Sequence, residues 1–399
     1  MPDGERIADR LESLWQIARG PGGGADRPAY STAEAQAMLL VAAWAREAGL
    51  TPGIDRFGNL WALPDPAVGS VVTSGSHVDT VPDGGRYDGA LGTVLALELA
   101  DALPGAGVLV CAAEEAPRFG AGTVGSRLLV GTLPENELGN LRDADGVTAA
   151  AARDGYLDAL AELPRVEPPI ARVRAHGEVH VAQRRALRTL GIVTRVASPR
   201  RLEIELVGES GHSGEVSMEN RRDALAAAGE VVLAVERAAR EEPPETVATV
   251  GTISVSPGAL SVIPGRVTLG LDARGIDSES LSRLDGRIRA AVGEIADRRA
   301  VQASVRVVRS GEPVTLEPGL VQAALDAARR HGIAAAETWS GAGHDAQHLA
   351  ALFPSLLVFV PLEGGESHTP LEGADPIDIA HAAVVVGEVL AGRRAGQSE

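Results

Sequence analysis

Two apolar runs that need cover on both faces constrain this chain more than any other feature. VGSVVTSGSH (68–77) and GAGVLVCAAEE (105–115) are short, rich in β-branched or aliphatic residues, and end in polar groups. Such runs read as strands of a sheet buried on both sides. Between them GALGTVLALELADAL (89–103) carries apolar residues at helical spacing, which completes a βαβ-type unit. STAEAQAMLLVAAWAREAG (31–49) is a further helix, opened by a capping box of Ser31 with Glu34 and stopped at Gly49. Ligands of α/β sheets collect at the carboxyl ends of strands. Here those ends carry His77 and the pair Glu114–Glu115.

The pattern changes between about residues 199 and 311. RLEIELVG alternates like a half-exposed strand, NRRDALAAAGEVVLAVERAAR reads as a helix, and TVATVGTISVSPG and RVTLGLDARG follow as strands. SESLSRLDGRIRAAVGEIADRR is a second helix and VQASVRVVR a last strand. The order βαββαβ is the ferredoxin-like unit. The α/β pattern then resumes with a helix from Pro318, the strand SLLVFVP and a closing helix near 377–392. The fold class expected is therefore α/β: a mixed-sheet domain over 1–198 and 312–399, with a smaller ferredoxin-like domain, 199–311, inserted into it. A chain of 399 residues is long enough for two cores.

Composition removes several functions. A net charge of −17 argues against nucleic acid or an anionic membrane surface as partner. No apolar run approaches the roughly 18 to 20 residues that span a bilayer. The amino-terminal residues carry no secretory signal pattern, and the single cysteine, Cys111, cannot form an internal disulfide. A cytoplasmic protein is expected. All 37 basic residues are arginine, so lysine Schiff bases, P-loop lysines and Ser–Lys dyads are excluded. No GxSxG elbow is present either.

What remains is a set of histidines and acids. GSHVDTVPDGGRYDG offers His77, Asp79 and Asp88 in a stretch too glycine-rich for a helix. A carboxylate beside a histidine can fix its tautomer and turn it towards a metal. Glu114 and Glu115 end a buried strand, where adjacent carboxylates are costly unless a cation compensates them. With no lysine in the chain, a divalent metal is the natural compensator. His176 in RAHGEVH and His368 in GESHTP are further candidate ligands.

GSHVDTVPDGGRYDGALG, EEAPRFG followed by GSRLLVG, GESGHSG, SVIPG with LDAR, SGAGHDAQ and SHTPLE occur in that order. Together they resemble the dinuclear-metal amidohydrolases that act on N-carbamoyl-L-amino acids, allantoate or β-ureidopropionate, within the aminoacylase–carboxypeptidase clan. The similarity runs over nearly the whole chain. It implies His77, Asp88 and His176 around one metal and Asp88, Glu115 and His368 around a second, with Asp88 bridging. It implies Glu114 as general base and Asp79 as the partner that orients His77. His212 in GHSG would stabilise the oxyanion from across a dimer interface, and Arg274 in LDAR would hold a substrate carboxylate. Gln347 aligns with a pocket residue. The ions would be Zn²⁺ first, with Mn²⁺ or Co²⁺ also compatible with mixed His and carboxylate ligands. The inserted domain would serve as lid and homodimer interface.

The chain departs from the family pattern around the substrate. Set against HIEQGP, the string HGEVHV places Val179 at a glutamine and His180 at a glycine, both substrate-facing. Ser261 stands where an asparagine would bind substrate, and GHSGEVSM brings in Glu215 and Val216. The expectation is an active metal-dependent amidohydrolase with an altered substrate pocket, suited to a specialised pathway. The alternatives are an aminoacylase- or peptidase-like amide hydrolase and, from another class, a non-catalytic binding protein on the same fold.

Overall fold

The computed structural model describes residues 3–183 and 187–395. It divides into two compact units. The larger contains Met1–Thr194, Thr315–Trp339 and Gly343–Glu399, and the smaller Arg195–Val314 with Ser340–Ala342.

The larger unit opens with helices α1 (Gly4–Trp15) and α2 (Thr32–Glu47) and strands β1 (Thr51–Ile54), β2 (Leu60–Leu63) and β3 (Val71–Ser74). It continues through α3 (Ala90–Ala102), β4 (Ala106–Val110), α4 (Val124–Leu129), α5 (Ala149–Ala159), β5 (Val173–Val181) and β6 (Leu190–Val196). β3 is parallel to both β4 and β5, as its double-sided burial predicts. After the smaller unit the chain adds β13 (Val314–Thr315), α8 (Pro318–Arg330), β14 (Ala335–Ser340), α9 (Asp345–Leu349), β15 (Ser355–Val360) and α10 (Pro376–Ala395). β15 lies parallel to β5. The sheet order is β1-β2-β4-β3-β5-β15-β6-β13, with β14 also on β6, a mixed sheet of nine strands among the described residues.

In the smaller unit, β7 (Ser198–Val207), α6 (Ala224–Arg240), β9 (Val247–Ser256), β11 (Arg266–Gly275), α7 (Ser278–Arg299) and β12 (Gln302–Ser310) give the βαββαβ order. The sheet order is β12-β7-β11-β9 and its pairings are antiparallel. Leu202, Ile204 and Leu206 of β7 point into the core shared with both helices, while Glu203 and Glu205 between them face Arg306 and Arg266 on the other side. Asp223 and Asp277 cap the two helices through their side chains. A short ladder of β8 (Gly211–His212) with β10 (Val262–Ile263) carries His212 opposite Val262. Among the described residues, no helix is long and apolar enough to cross a membrane.

β3 and β4 run out just before His77 and the Glu114–Glu115 pair, and β5 just after His180. The carboxyl edge of the parallel core therefore collects the polar groups. His77 pairs in a single parallel bridge with Cys111 rather than continuing a strand. The α2 capping box also reaches this edge. Ser31 Oγ accepts from the Glu34 amide, and Glu34 accepts from the amides of Tyr30 and Ala113. It thereby anchors the residue before Glu114, where Ala113 holds a left-handed φ of 55°.

The register of β5 corrects two expectations. His176 lies opposite Thr73 in the middle of β3, well below the carboxyl edge. It is hydrogen bonded to the Thr73 hydroxyl at 3.1 Å and packs near Phe353. His180, four residues on and about 13 Å further along the strand, reaches the edge beside Phe359. Val179 alternates to the opposite face and is fully buried in the apolar core, its carbonyl against Gly92 of α3. It does not face a substrate.

Burial with no carboxylate to compensate it pushes the His176 imidazole down to about 3. The native state therefore binds fewer protons here than the unfolded chain, whose histidine titrates near ~6.5. The neutral ring contributes its full stability above that pH, and stability falls as pH drops from there towards 3. We expect His176→Leu to shrink the difference in urea midpoint between pH 7 and pH 4.5. Equal pH dependence in both proteins would contradict this.

Candidate metal centre

Asp88 is the hub. Its carboxylate is almost fully buried. Oδ1 lies 3.0 Å from His180 Nε2 and 3.8 Å from His77 Nε2. Oδ2 lies 3.1 Å from His368 Nε2, and the same imidazole nitrogen is 3.5 Å from Glu115 Oε1. Single donor atoms of His77, Asp88 and His180 thus fall within 4.8 Å of one another, as do those of Asp88, Glu115 and His368. Four of the five expected ligands meet as anticipated. His176 is not among them, and His180 stands beside Asp88 in its place.

The backbone dictates where these rings point. His77 turns Nδ1 to the Asp79 carbonyl at 3.0 Å, and His180 turns Nδ1 to the Val181 carbonyl at 3.0 Å. Each Nδ1–H is then a donor, so in the neutral rings both Nε2 atoms carry lone pairs. Those two nitrogens sit 3.3 Å apart beside Asp88 Oδ1, which makes no hydrogen bond of its own. Two lone pairs and a buried anionic oxygen facing one point call for a cation there, so these donors fit a divalent metal. Gly89 gives the ring its room. With φ at 64°, a Cβ added there would stand 2.4 Å from His77 Cε1.

Asp79 has a wider task than orienting His77. Its Oδ1 accepts from the Glu114 amide at 3.1 Å and its Oδ2 from the Glu115 amide at 2.8 Å, while Oδ1 is 3.4 Å from His77 Nδ1. One carboxylate therefore ties the His77 loop to the glutamate pair. Arg27 braces the same loop from below, donating to the carbonyls of Val78 and Leu14 at 2.7 Å each.

The electrostatics match a cation site. Burial pushes the Glu114 carboxyl well above the usual range, against the pull of His77. Burial and the Asp88 charge take Glu115 to about 7. A hydrogen bond to Asp88 lifts His368 to about 9 despite partial burial. Burial opposes a charged His180, yet the Asp88 carboxylate raises it, in contrast to His176. Asp88 is itself held well below the carboxylate range, its burial outweighed by His180 and His368.

Glu372 and Gln183, beside the centre, are among the residues that escaped the sequence reading. Glu372 accepts from the amides of Tyr87 and Asp88 at 2.8 and 3.1 Å, so it fixes the backbone that aims Asp88. Gln183 Nε2 stands 3.1 Å from His368 Nε2. Had His180 been set against the histidine of HIEQGP, Gln183 would have fallen on the glutamine; the string HVAQ was the available signal. That register also removes the supposed substitutions at Val179 and His180 and places Ala182 at the glutamate.

Gln347 is buried on α9, next to His344, whose ring meets His180 edge-on at 4.5 Å between centroids. Behind them Glu178 accepts from Ser76 Oγ at 2.8 Å and from the Ala346 amide at 2.7 Å, linking β5 to α9. The remaining candidates belong to the smaller unit. Arg274 donates to Asp272 Oδ2 at 2.8 Å and to the Gly341 carbonyl at 3.1 Å. His212 is exposed and accepts from the Gly214 amide at 3.0 Å, and Ser261 accepts from the Ser213 amide through its carbonyl.

Residues 74–391 match peptidase family M20/M25/M40. The chain is 34% identical to the N-carbamoyl-L-amino acid amidohydrolase of Geobacillus stearothermophilus, over 97% of each protein. It is 33% identical to the allantoate amidohydrolase of Bacillus subtilis, over 92% of each. A crystal structure of a hydantoinase/carbamoylase-family amidase from Burkholderia multivorans superposes with a TM-score of 0.86 at 33% identity, covering 98% of both chains. The chain belongs to the metal-dependent M20/M25/M40 peptidase family, and within it to the amidohydrolases related to N-carbamoyl-L-amino-acid hydrolases and allantoate amidohydrolases, enzymes of C–N bonds other than peptide bonds.

Proposed function

We propose that this enzyme hydrolyses the C–N bond of a linear ureido or amide substrate bearing a carboxylate, using two divalent cations held on either side of Asp88. The observation that carries the reading is the division of Asp88, one oxygen towards His77 and His180, the other towards His368 and Glu115. Zn²⁺ suits this mixture of imidazole and carboxylate donors, and Mn²⁺ or Co²⁺ are the competitors. When bound, such a pair of ions supplies Lewis acidity and lowers the pKa of water.

The chain's own groups do the rest. Glu114 accepts the proton of the attacking water and returns it to the leaving nitrogen. Asp79 keeps that glutamate and His77 in mutual register through the two amides it grips. His212 is assigned to the developing oxyanion and Arg274 to the substrate carboxylate, for which a planar guanidinium is well matched. Gln347, Gln183 and Ser261 contribute to substrate selection. Ser261, Glu215 and Val216 keep the pocket altered relative to the family pattern, which supports a substrate other than a plain carbamoyl amino acid and a role in a specialised pathway. The unit around 199–311 is assigned as lid and homodimer interface, and the enzyme as cytoplasmic.

Three outcomes follow. Glu114→Gln lowers kcat by about 10²- to 10⁴-fold while metal content by atomic emission stays unchanged; retained turnover removes Glu114 as the base. His180→Ala lowers bound metal and activity together, whereas His176→Ala leaves metal content intact; the reverse pattern restores His176 to the centre. Product analysis separates the reactions: ammonia with CO₂ marks ureido cleavage, and a free carboxylate without CO₂ marks an aminoacylase-like enzyme.

A further inference from the structure

A cleft of about 670 Å³ in the larger unit shares Glu115 with the metal centre and is used by none of the roles above. Its volume is that of a small-molecule site. Much of the lining is apolar: Pro28, Ala29, Pro82, Pro117, Ala152 and Tyr156. The charged residues that line it are the acids Glu115, Asp143 and Asp145 and one cation, Arg118. That guanidinium is already engaged, donating to the carbonyls of Ala29 and Tyr30 at 2.7 and 3.0 Å and to Asp143 Oδ2 at 3.2 Å. An anionic substituent would meet carboxylates here and no available cation, so its desolvation would go uncompensated. A bulky apolar group would release water from the proline and alanine surfaces instead.

We propose that this cleft receives the part of the substrate remote from the scissile bond, and that this part is bulky, uncharged and chiefly apolar. The proposal rests on the hydrolytic reading above and adds the substrate class to it. It makes the α5 face a determinant of specificity, distinct from the groups that hold metal or substrate carboxylate.

Gly155 on α5 provides the test. It lines the cleft, and a Cβ built there meets no atom within 4 Å. A side chain placed at this helical position meets open space on the cleft lining, and it should leave the fold undisturbed, since glycine is itself unfavourable inside a helix. In metal-loaded enzyme, Gly155→Phe is expected to lower kcat/KM for N-carbamoyl-L-tryptophan at least tenfold relative to N-carbamoylglycine, chiefly through KM. An unchanged ratio overturns the proposal. A second measurement does not depend on turnover. Cys111 is buried and its thiol is pushed up by burial, so the thiol introduced by Gly155→Cys should react alone with iodoacetamide. The proposal expects 2-naphthylurea to slow that reaction severalfold; no protection overturns it. If the wild-type enzyme hydrolyses neither carbamoyl substrate, the altered pocket accounts for it, the hydrolytic reading stands or falls on the Glu114→Gln and metal-content measurements, and the labelling alone decides what the cleft binds.

Discussion

A single buried carboxylate with two differently occupied oxygens organises this protein. Asp88 stands between the His77–His180 pair and the Glu115–His368 pair, and most of the surrounding construction serves to hold it and them there. Glu372 grips the backbone at Asp88. Asp79 ties the loop after β3 to the end of β4. Glu34, the capping glutamate of α2, fixes the residue that precedes the glutamate pair. Each brace is itself a buried acid whose carboxylate oxygens accept backbone N–H groups. The cost of burying these acids is met locally by hydrogen bonds, and at the centre by imidazoles whose Nε2 atoms converge.

Strand ends explain why these residues meet. Parallel strands deliver their carboxyl ends to one edge, and the sequence there switches abruptly from aliphatic to polar at His77 and Glu114. That switch was legible, as were the helix between the strands and the βαββαβ block, because apolar spacing differs between elements of period two and period 3.6. Asp88 was legible for another reason. The glycines around it allow a tight turn, and Gly89 adopts a left-handed φ against the His77 ring.

What the sequence hid was register. His176, Glu178 and His180 share one face of β5, so alternation cannot choose among them. The choice depends on where β5 begins against β3, and only the pairing of His176 with Thr73 settles it. The environments then separate the two rings: one lies among Thr73 and Phe353, the other beside Asp88. Alternation did bear on Val179, whose parity alone sends it into the core opposite His180. Glu372 and Arg27 were hidden differently. Their partners are backbone amides and carbonyls far away in sequence, which carry no residue-type signal.

The direct test of a cation pair shared by Asp88 is anomalous diffraction from crystals of the protein loaded with Zn²⁺. The account predicts two peaks flanking the Asp88 carboxylate, one within bonding distance of His77 and His180 and the other of Glu115 and His368. A lone peak, or any peak ligated by His176, would contradict it.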